Sequence, residues 1–468
     1  MLQVMHIQRQ KAANGKGPNG KSSVPRAAHP HAPRAARQAA GRALRERTPR
    51  EAHATLDVRS NRDPLALIDA TNAARLQELV PIRWGRMFES PFPFYRGAPA
   101  VMAFDLANTP VSGIRVQACG DAHILNFGGF ATPERNLIVD LNDFDETHPA
   151  PWEWDVKRLA ASIVVAARDV GGISDRDARD AVEATVRSYR EHMRALGEMD
   201  PLSVYYEFVD ATEAAQMLRR SRRQIRQRTA QVERQTHEAV PKLTELVGDT
   251  MRIVTRPPII QPLPPEHAES ARRVFAAYAD SLRVDRRILF ERFEVVDIAL
   301  KVVGVGSVGT RCFIALLEAD GHPFFLQVKE ALPSVLEPYA GGPRIEHQGQ
   351  RVVVGQQTMQ AASDIFLGWA SNGDRHFYVR QFRDMKISYD LKNLSPKELG
   401  YGGQLCGVIL ARAHARSGDA ATIGGYLGKC DDFDKAIAKF AVAYADQNER
   451  DHALLQKAVH DGKIHAVV

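Results

Sequence analysis

Apolar and polar positions divide the chain into helical and strand-like stretches. Leu65, Ile68, Leu76 and Leu79 recur near a 3.6-residue period and predict a helix over Pro64–Leu79, with Asn72 interrupting the stripe. A second helix is expected from Glu153 to Arg168, where the unbroken apolar run Leu159–Ala167 points to deep burial. Asp175–Met199 is amphipathic, and residues 175 to about 290 read as mostly helical, ending in a helix over 268–292. Further helices are expected over Ile345–Ala362, 395–417 and 431–457, and Gly418 suits the C-terminal cap of the middle one. Strand-like runs lie between these stretches. Ile114–Cys119 and Asn136–Leu141 are two of them. Lys301–Leu317 reads as strand, glycine turn, strand. Phe324–Glu330, Ile365–Trp369 and Arg375–Gln381 follow, which predicts a five-stranded antiparallel lobe. The fold class is α+β, with a chain of 468 residues long enough for two or three domains or one large two-lobed molecule.

Charge changes this picture at one end only. Residues 1–50 carry eleven Lys or Arg against a single acid, Glu46, and the other 418 residues hold 51 basic and 55 acidic side chains. The net charge of +6 therefore belongs to a tail rich in Ala, Gly, Pro and Arg. With no apolar period up to about residue 36, the segment 1–58 is expected to be disordered, and ordered chain to begin near Arg59. The tail could touch nucleic acid, but a solvated leader is the expectation. A second basic run, Met217–Arg228, reads as a solvated helix face. Four scattered cysteines without a CxxC spacing argue against a zinc site and for a reducing compartment. No apolar run approaches the roughly 18 residues of a membrane helix, and no secretory leader is evident, so a cytoplasmic protein is expected.

Candidate chemistry gathers in two stretches. The first is Cys119-Gly-Asp-Ala-His-Ile-Leu-Asn-Phe-Gly, followed by the strand to Asp140 and then Asp143-Phe-Asp-Glu. Turn chemistry does not need so many acids beside one apolar strand. Asp140 or Asp143, with Asn126, suits Mg²⁺, which takes hard oxygen ligands and completes its shell with phosphate and water. The second is Gly304-x-Gly306-x-x-Gly309, followed by a strand carrying the isolated Lys329. β-branched and aromatic residues follow the glycines where a dinucleotide fold would run into a helix. The arrangement is that of a phosphate-covering glycine loop with a lysine on a later strand. Glu346, seventeen residues after Lys329, is a candidate partner for that lysine, and Glu337 is the other. Arg83, Arg86 and Arg96 are candidate phosphate contacts, or partners of carboxylates elsewhere. Asp155, in the first turn of its helix, could orient the Gly-Asp loop.

Gly-Asp-x-His-x-x-Asn, a strand, Asp-Phe-Asp and a helix opening with Asp together resemble the active-site half of aminoglycoside phosphotransferases and related small-molecule kinases. The resemblance implies that Asp121 accepts the proton of a substrate hydroxyl, with His123 beside it, and that Asn126 and Asp143 hold Mg²⁺. Asp140 fits the spacing from Asn126 better than Asp143 does. Cys119 stands where those kinases carry His, and the glycine loop follows the catalytic loop where in kinases it precedes it. From about Arg45 to Ala458 the chain also resembles a bacterial family known only as a domain of unknown function, number 2252. That resemblance rests on Phe94-Tyr-Arg-Gly, Asp140-Leu-Asn-Asp-Phe-Asp-Glu, Pro151-Trp-Glu-Trp-Asp-Val-Lys-Arg-Leu and Ala411-Arg-Ala-His-Ala-Arg-Ser-Gly-Asp.

The expected fold is a kinase-like two-lobed one in circularly permuted order. A catalytic-loop part (59–170), a helical region (171–292) and C-terminal helices (391–468) would form the helical lobe, and residues 293–390 the glycine-loop β lobe. The expected activity is Mg²⁺-dependent transfer from ATP to a hydroxyl-bearing acceptor, with Gly304, Gly306, Gly309, Lys329 and Glu346 on the nucleotide side. A nucleotide-binding regulator without turnover and an AMP-transferring enzyme are the alternatives. A metallophosphoesterase fits less well, because its Gly-Asn-His-Asp/Glu string and upstream Asp-x-His are missing.

Overall fold

The computed structural model describes residues 31–219, 240–263, 268–342, 344–382, 387–388, 391 and 394–467. The N-terminal thirty residues and most of the Met217–Arg228 basic run lie outside the described residues. No helix among the described residues is long and apolar enough to cross a membrane.

Four long helices carry the largest core: Trp152–Val170, Asp175–Leu196, Pro396–Ser417 and Asp432–His460. Their starts are set locally. Ser174 accepts a bond from the Asp177 N–H, and Ser395 and Glu398 form a reciprocal capping box ahead of Pro396. Trp152 stacks on Tyr189 at 5.6 Å between ring centroids. Gly407 lets two of these helices approach closely, since a Cβ there would meet the Thr185 carbonyl oxygen at 2.3 Å. The expected buried run Leu159–Ala167 is buried throughout.

The glycine-loop region folds as one antiparallel sheet. Its strand order is Gly368–Asn372, Arg375–Gln381, His322–Glu330, Cys312–Ala319, Glu294–Lys301, Ile260–Pro262. The sheet therefore has six strands where five are read from the sequence. The extra edge strand, Ile260–Pro262, lies in a proline-rich stretch (257–265) and is too short and too irregular in pattern to signal itself. One face packs on the Ala268–Ser281 helix around Phe275 and Tyr278, the other on a cluster that includes Ile253 and Leu316. A separate four-stranded sheet orders Ile387–Ser388, Phe127–Ala131, Leu137–Leu141 and Val209–Asp210. The region expected to be mostly helical also holds a hairpin, Thr244–Val247 with Thr250–Ile253, turning at Gly248 with φ +62°.

One boundary is corrected. The segment expected to be disordered up to residue 58 contains the helix Arg34–Arg47, whose Leu44 is buried. A Cβ on its Gly41 would meet the Thr422 carbonyl oxygen at 2.0 Å, so the helix lies directly on the helix Ala420–Leu427. Arg37 pairs with Asp419 at 2.6 Å and Arg50 with Asp432 at 2.5 Å. A helix that buries only Gly41 and Leu44 leaves almost no apolar stripe to read.

Candidate active site

The short strand Arg115–Ala118 delivers Cys119, Gly120 and Asp121 to the head of the helix Trp152–Val170. The N–H groups of Cys119 and Gly120 both donate to the Asp155 carboxylate, at 2.6 and 3.0 Å. Asp155 is fixed in turn by His414 Nε2 at 3.1 Å. Gly120 has φ +85°, and a Cβ there would fall 2.1 Å from the Glu146 carbonyl oxygen, so this turn requires glycine. One turn along the helix, Arg158 donates to Asp121 Oδ1 from Nε at 2.9 Å and pairs from Nη2 at 2.8 Å. Burial alone would raise the Asp121 carboxyl, but Arg158, with His123 and Arg96, holds it below the usual carboxylate range. His123 is buried, and its Nε2 is 3.9 Å from Asp121 Oδ2, beyond a hydrogen bond. Burial lowers its pKa to about 3 despite Asp121, so the ring is neutral near pH 7.

Asn126 ties the two loops of the site together. Its side-chain N–H₂ donates to the backbone oxygens of Asp121 (3.0 Å) and Asp143 (2.9 Å). The Cys119 thiol donates to the same Asp143 oxygen at 3.3 Å. Asn126 Oδ1 is buried without a hydrogen-bond partner. An orphaned hard-oxygen acceptor and the half-exposed Asp143 carboxylate, on the two loops that Asn126 joins, are of the donor type magnesium takes. Among the described residues no cluster of three or more His, Cys, Asp or Glu forms a metal-binding group, so such an ion would take its remaining ligands from phosphate and water.

Asp140 is not part of this pair. It is fully buried, with Arg412 Nη2 at 2.5 Å, and it accepts the Ala361 and Leu141 N–H groups at 2.9 Å each. The spacing from Asn126 that recommended it is met by a strand position facing the helices. Glu346 is also corrected. It is exposed, and Lys329 instead meets Asp145 Oδ2 at 2.5 Å and Asp143 Oδ1 at 3.8 Å. Burial opposes the Lys329 charge, but these two carboxylates keep its pKa well above the ordinary lysine value. The helix Gln348–Met359 supplies Arg351 in place of a glutamate, donating to the carbonyls of Asp145 and Thr147 at 2.8 and 2.6 Å. Among the described residues Glu337, on the short helix Glu337–Ala340, forms no ion pair with the lysine either.

Sequence reasoning missed Asp145. It binds Lys329, accepts from Tyr378 Oη at 2.6 Å and from Ser307 Oγ at 3.1 Å. Its signal is the second acid of Asp143-Phe-Asp.

The glycine loop joins the strands Glu294–Lys301 and Cys312–Ala319, with Gly304 at φ +61° and Gly309 at φ +85°. It is held against residues 71–97. Arg75 Nη1 donates to the Val308 oxygen at 2.6 Å, the Leu76 N–H donates to the Gly309 oxygen at 2.8 Å, and Arg86 donates to the Gly304 oxygen. A Cβ on Gly306 would sit 3.3 Å from the Arg96 oxygen. Beneath the loop are two cavities. One of about 100 Å³ is lined by Asp121, His123, Arg96, Asp143 and Gly306. The other, about 350 Å³, is lined by Asp143, Gly304, Lys329, Arg380 and Phe382. Asp143, Gly304 and Ser307 line both. Asp121 and Lys329, remote in sequence, thus lie on adjoining cavities that share these walls.

Comparison with curated proteins finds no match, and comparison with solved structures finds none. A family model described as an uncharacterised protein conserved in bacteria (DUF2252) matches residues 75–458, which span the Gly-Asp loop, the glycine loop and all the helices that hold them. The chain belongs to the DUF2252 family.

Proposed function

We propose that the protein transfers the γ-phosphoryl group of ATP to a hydroxyl-bearing acceptor, using Mg²⁺. The observation that carries this reading is the shared wall between the two cavities. A lysine under a glycine loop lines one, an ionised aspartate lines the other, and Asp143 faces both. In this reading the larger cavity takes the nucleotide phosphates, with Lys329 and the backbone of the Gly304–Gly309 loop contacting them. Asn126 Oδ1 and the Asp143 carboxylate hold Mg²⁺, which neutralises charge on the phosphates when bound.

Asp121 orients the acceptor hydroxyl. The acceptor oxygen attacks Pγ, the bond from Pγ to the ADP oxygen breaks, ADP leaves with the electron pair, and the hydroxyl proton passes to Asp121 and then to water. Because Arg158 depresses the Asp121 pKa, the carboxylate is ionised and ready to accept a hydrogen bond across the neutral range. Its basicity is correspondingly weak. Phosphoryl transfer asks mostly for positioning and charge stabilisation, so a weak base suffices.

The test is incubation with Mg²⁺ and a cell extract using ATP labelled separately at the α and γ positions. Movement of the γ label onto an acceptor is expected. Movement of the α label would replace phosphoryl by AMP transfer, and nucleotide binding without movement of either label would leave a regulator. With the acceptor in hand, Asp121→Asn should lower turnover by roughly 10²–10⁴-fold while ATP affinity holds.

A further inference from the structure

The acid-rich site contains arginines that form no salt bridge among the described residues. Most acids of the smaller cavity are paired elsewhere, and Asp143 lies 3.8 Å from Lys329. Asp121 pairs with Arg158, Asp145 with Lys329, and Glu330 with Arg311 and Arg375. Burial raises Glu146 to about 7, so it is largely uncharged in mildly acidic solution and about half so at neutrality. Arg75, Arg83 and Arg96 line the same cavity, and none has a salt bridge among the described residues. Arg75 donates to the Val308 and Thr71 oxygens, and Arg83 to Gly97, Thr71 and Asn72, with only the Arg83 Nε left over. Arg96 differs. No hydrogen bond from its guanidinium is formed among the described residues, and its buried Nε has no partner. Across the same cavity, His123 Nδ1 is also buried and unpartnered.

Resting on the phosphotransferase reading, we propose that the acceptor is a small anion, and that Arg96 and His123 bind its phosphate or carboxylate group beside the hydroxyl held by Asp121. An arginine keeps its charge when buried and presents a planar fork that matches both anions, so an unpaired one in a cavity awaits such a group. His123, through its buried and unpartnered Nδ1, adds a hydrogen bond. Location assigns the anion to the acceptor rather than to ATP. Arg96 lines the Asp121 cavity and not the Lys329 cavity, and Lys329 lines only its own. A cavity of about 100 Å³ suits a compact head group and excludes a long neutral sugar as its sole occupant. Arg96 is thus a specificity residue for the acceptor, and its unmet donors are satisfied only in the ternary complex.

The test is calorimetry on the full chain saturated with Mg²⁺ and a non-hydrolysable ATP analogue, titrated with glycerol, glycerate and glycerol 3-phosphate. At least one anion is expected to bind ten-fold or more tighter than glycerol, and the pair of anions distinguishes carboxylate from phosphate. Arg96→Gln should remove that preference while leaving affinity for the ATP analogue within two-fold. Arg96→Lys, which keeps the charge and loses the fork, should retain part of it. Equal binding of glycerol and both anions by the wild-type protein overturns the proposal without any variant. So does an Arg96→Gln protein that keeps the anion preference, or one that loses the ATP analogue and keeps the anion. If the analogue itself fails to bind while an anion binds through Arg96, the phosphotransferase reading falls and the anion site remains.

Discussion

Two ion pairs leave the same short stretch of chain and lead to opposite chemistry. Asp140 pairs with Arg412 and Asp145 with Lys329, each at 2.5 Å. The Asp140 pair is sealed: its side chains are 1% and 0% exposed. Backbone N–H groups of Ala361 and Leu141 complete the carboxylate, while Arg412 Nε and Nη1 find no partner. The Asp145 pair opens to the cleft. Lys329 is 3% exposed but Asp145 is 28% exposed, and Ser307 of the glycine loop reaches it. One acid clamps strand to helix, and the other sets a lysine in a cavity wall. The difference teaches that acidity near a motif identifies a region, and that burial and partners decide which acid reacts and which one holds.

The strongest way to break this comparison is Asp140→Ala. Leaving Arg412 buried without its carboxylate should cost about 3–5 kcal/mol of stability. Denaturant unfolding measures it, and nucleotide affinity of the folded fraction should not change. A loss under about 1 kcal/mol would show that the pair is not the clamp described.

Glu146 sharpens the comparison through pH. Burial lifts its folded pKa to about 7, against the partial opposition of the Val335 N–H and Arg351, from an ordinary 4.5. The folded state therefore holds the proton more tightly than the unfolded chain. Its stabilisation is complete below pH 4.5 and disappears as pH rises through 7, at most about 3 kcal/mol. Glu146→Gln should flatten that part of the stability profile between pH 4.5 and 8. Superimposable profiles for the two proteins would rule the shift out.

Asp145→Asn comes next. Lys329 keeps Asp143 at 3.8 Å and water has access, so the expected cost is about 1–3 kcal/mol, below that of Asp140→Ala. Equal costs at the two positions would erase the distinction between clamp and cleft. The smallest stability effect belongs to Asp143→Asn. Its side chain is 47% exposed, and the change should stay within about 0.5 kcal/mol. Nucleotide affinity should nonetheless need more Mg²⁺ to saturate, read by calorimetry across a magnesium titration.

Much of the site is legible in local pattern because tight turns and helix starts need particular residues. Gly120 is demanded by a turn, Gly304 and Gly309 by positive φ, and Asp155 by its place at a helix start facing two free N–H groups. The buried helix Trp152–Val170 and the strand with Lys329 announce themselves by apolar runs. Weak or short-range signals are lost. The Arg34–Arg47 helix buries only Gly41 and Leu44, and the edge strand Ile260–Pro262 is three residues long.

Residue type and spacing along the chain fix the turns, strands and helices of the candidate site, since these follow from local backbone geometry. Only the tertiary structure decided who partners whom. Whether Lys329 meets Glu346 or Asp145, whether Asp140 faces Arg412 or solvent, and whether Arg96 finds an acid all depend on elements hundreds of residues apart. Pairing energies depend on distance and burial, and neither is a property of position along the chain.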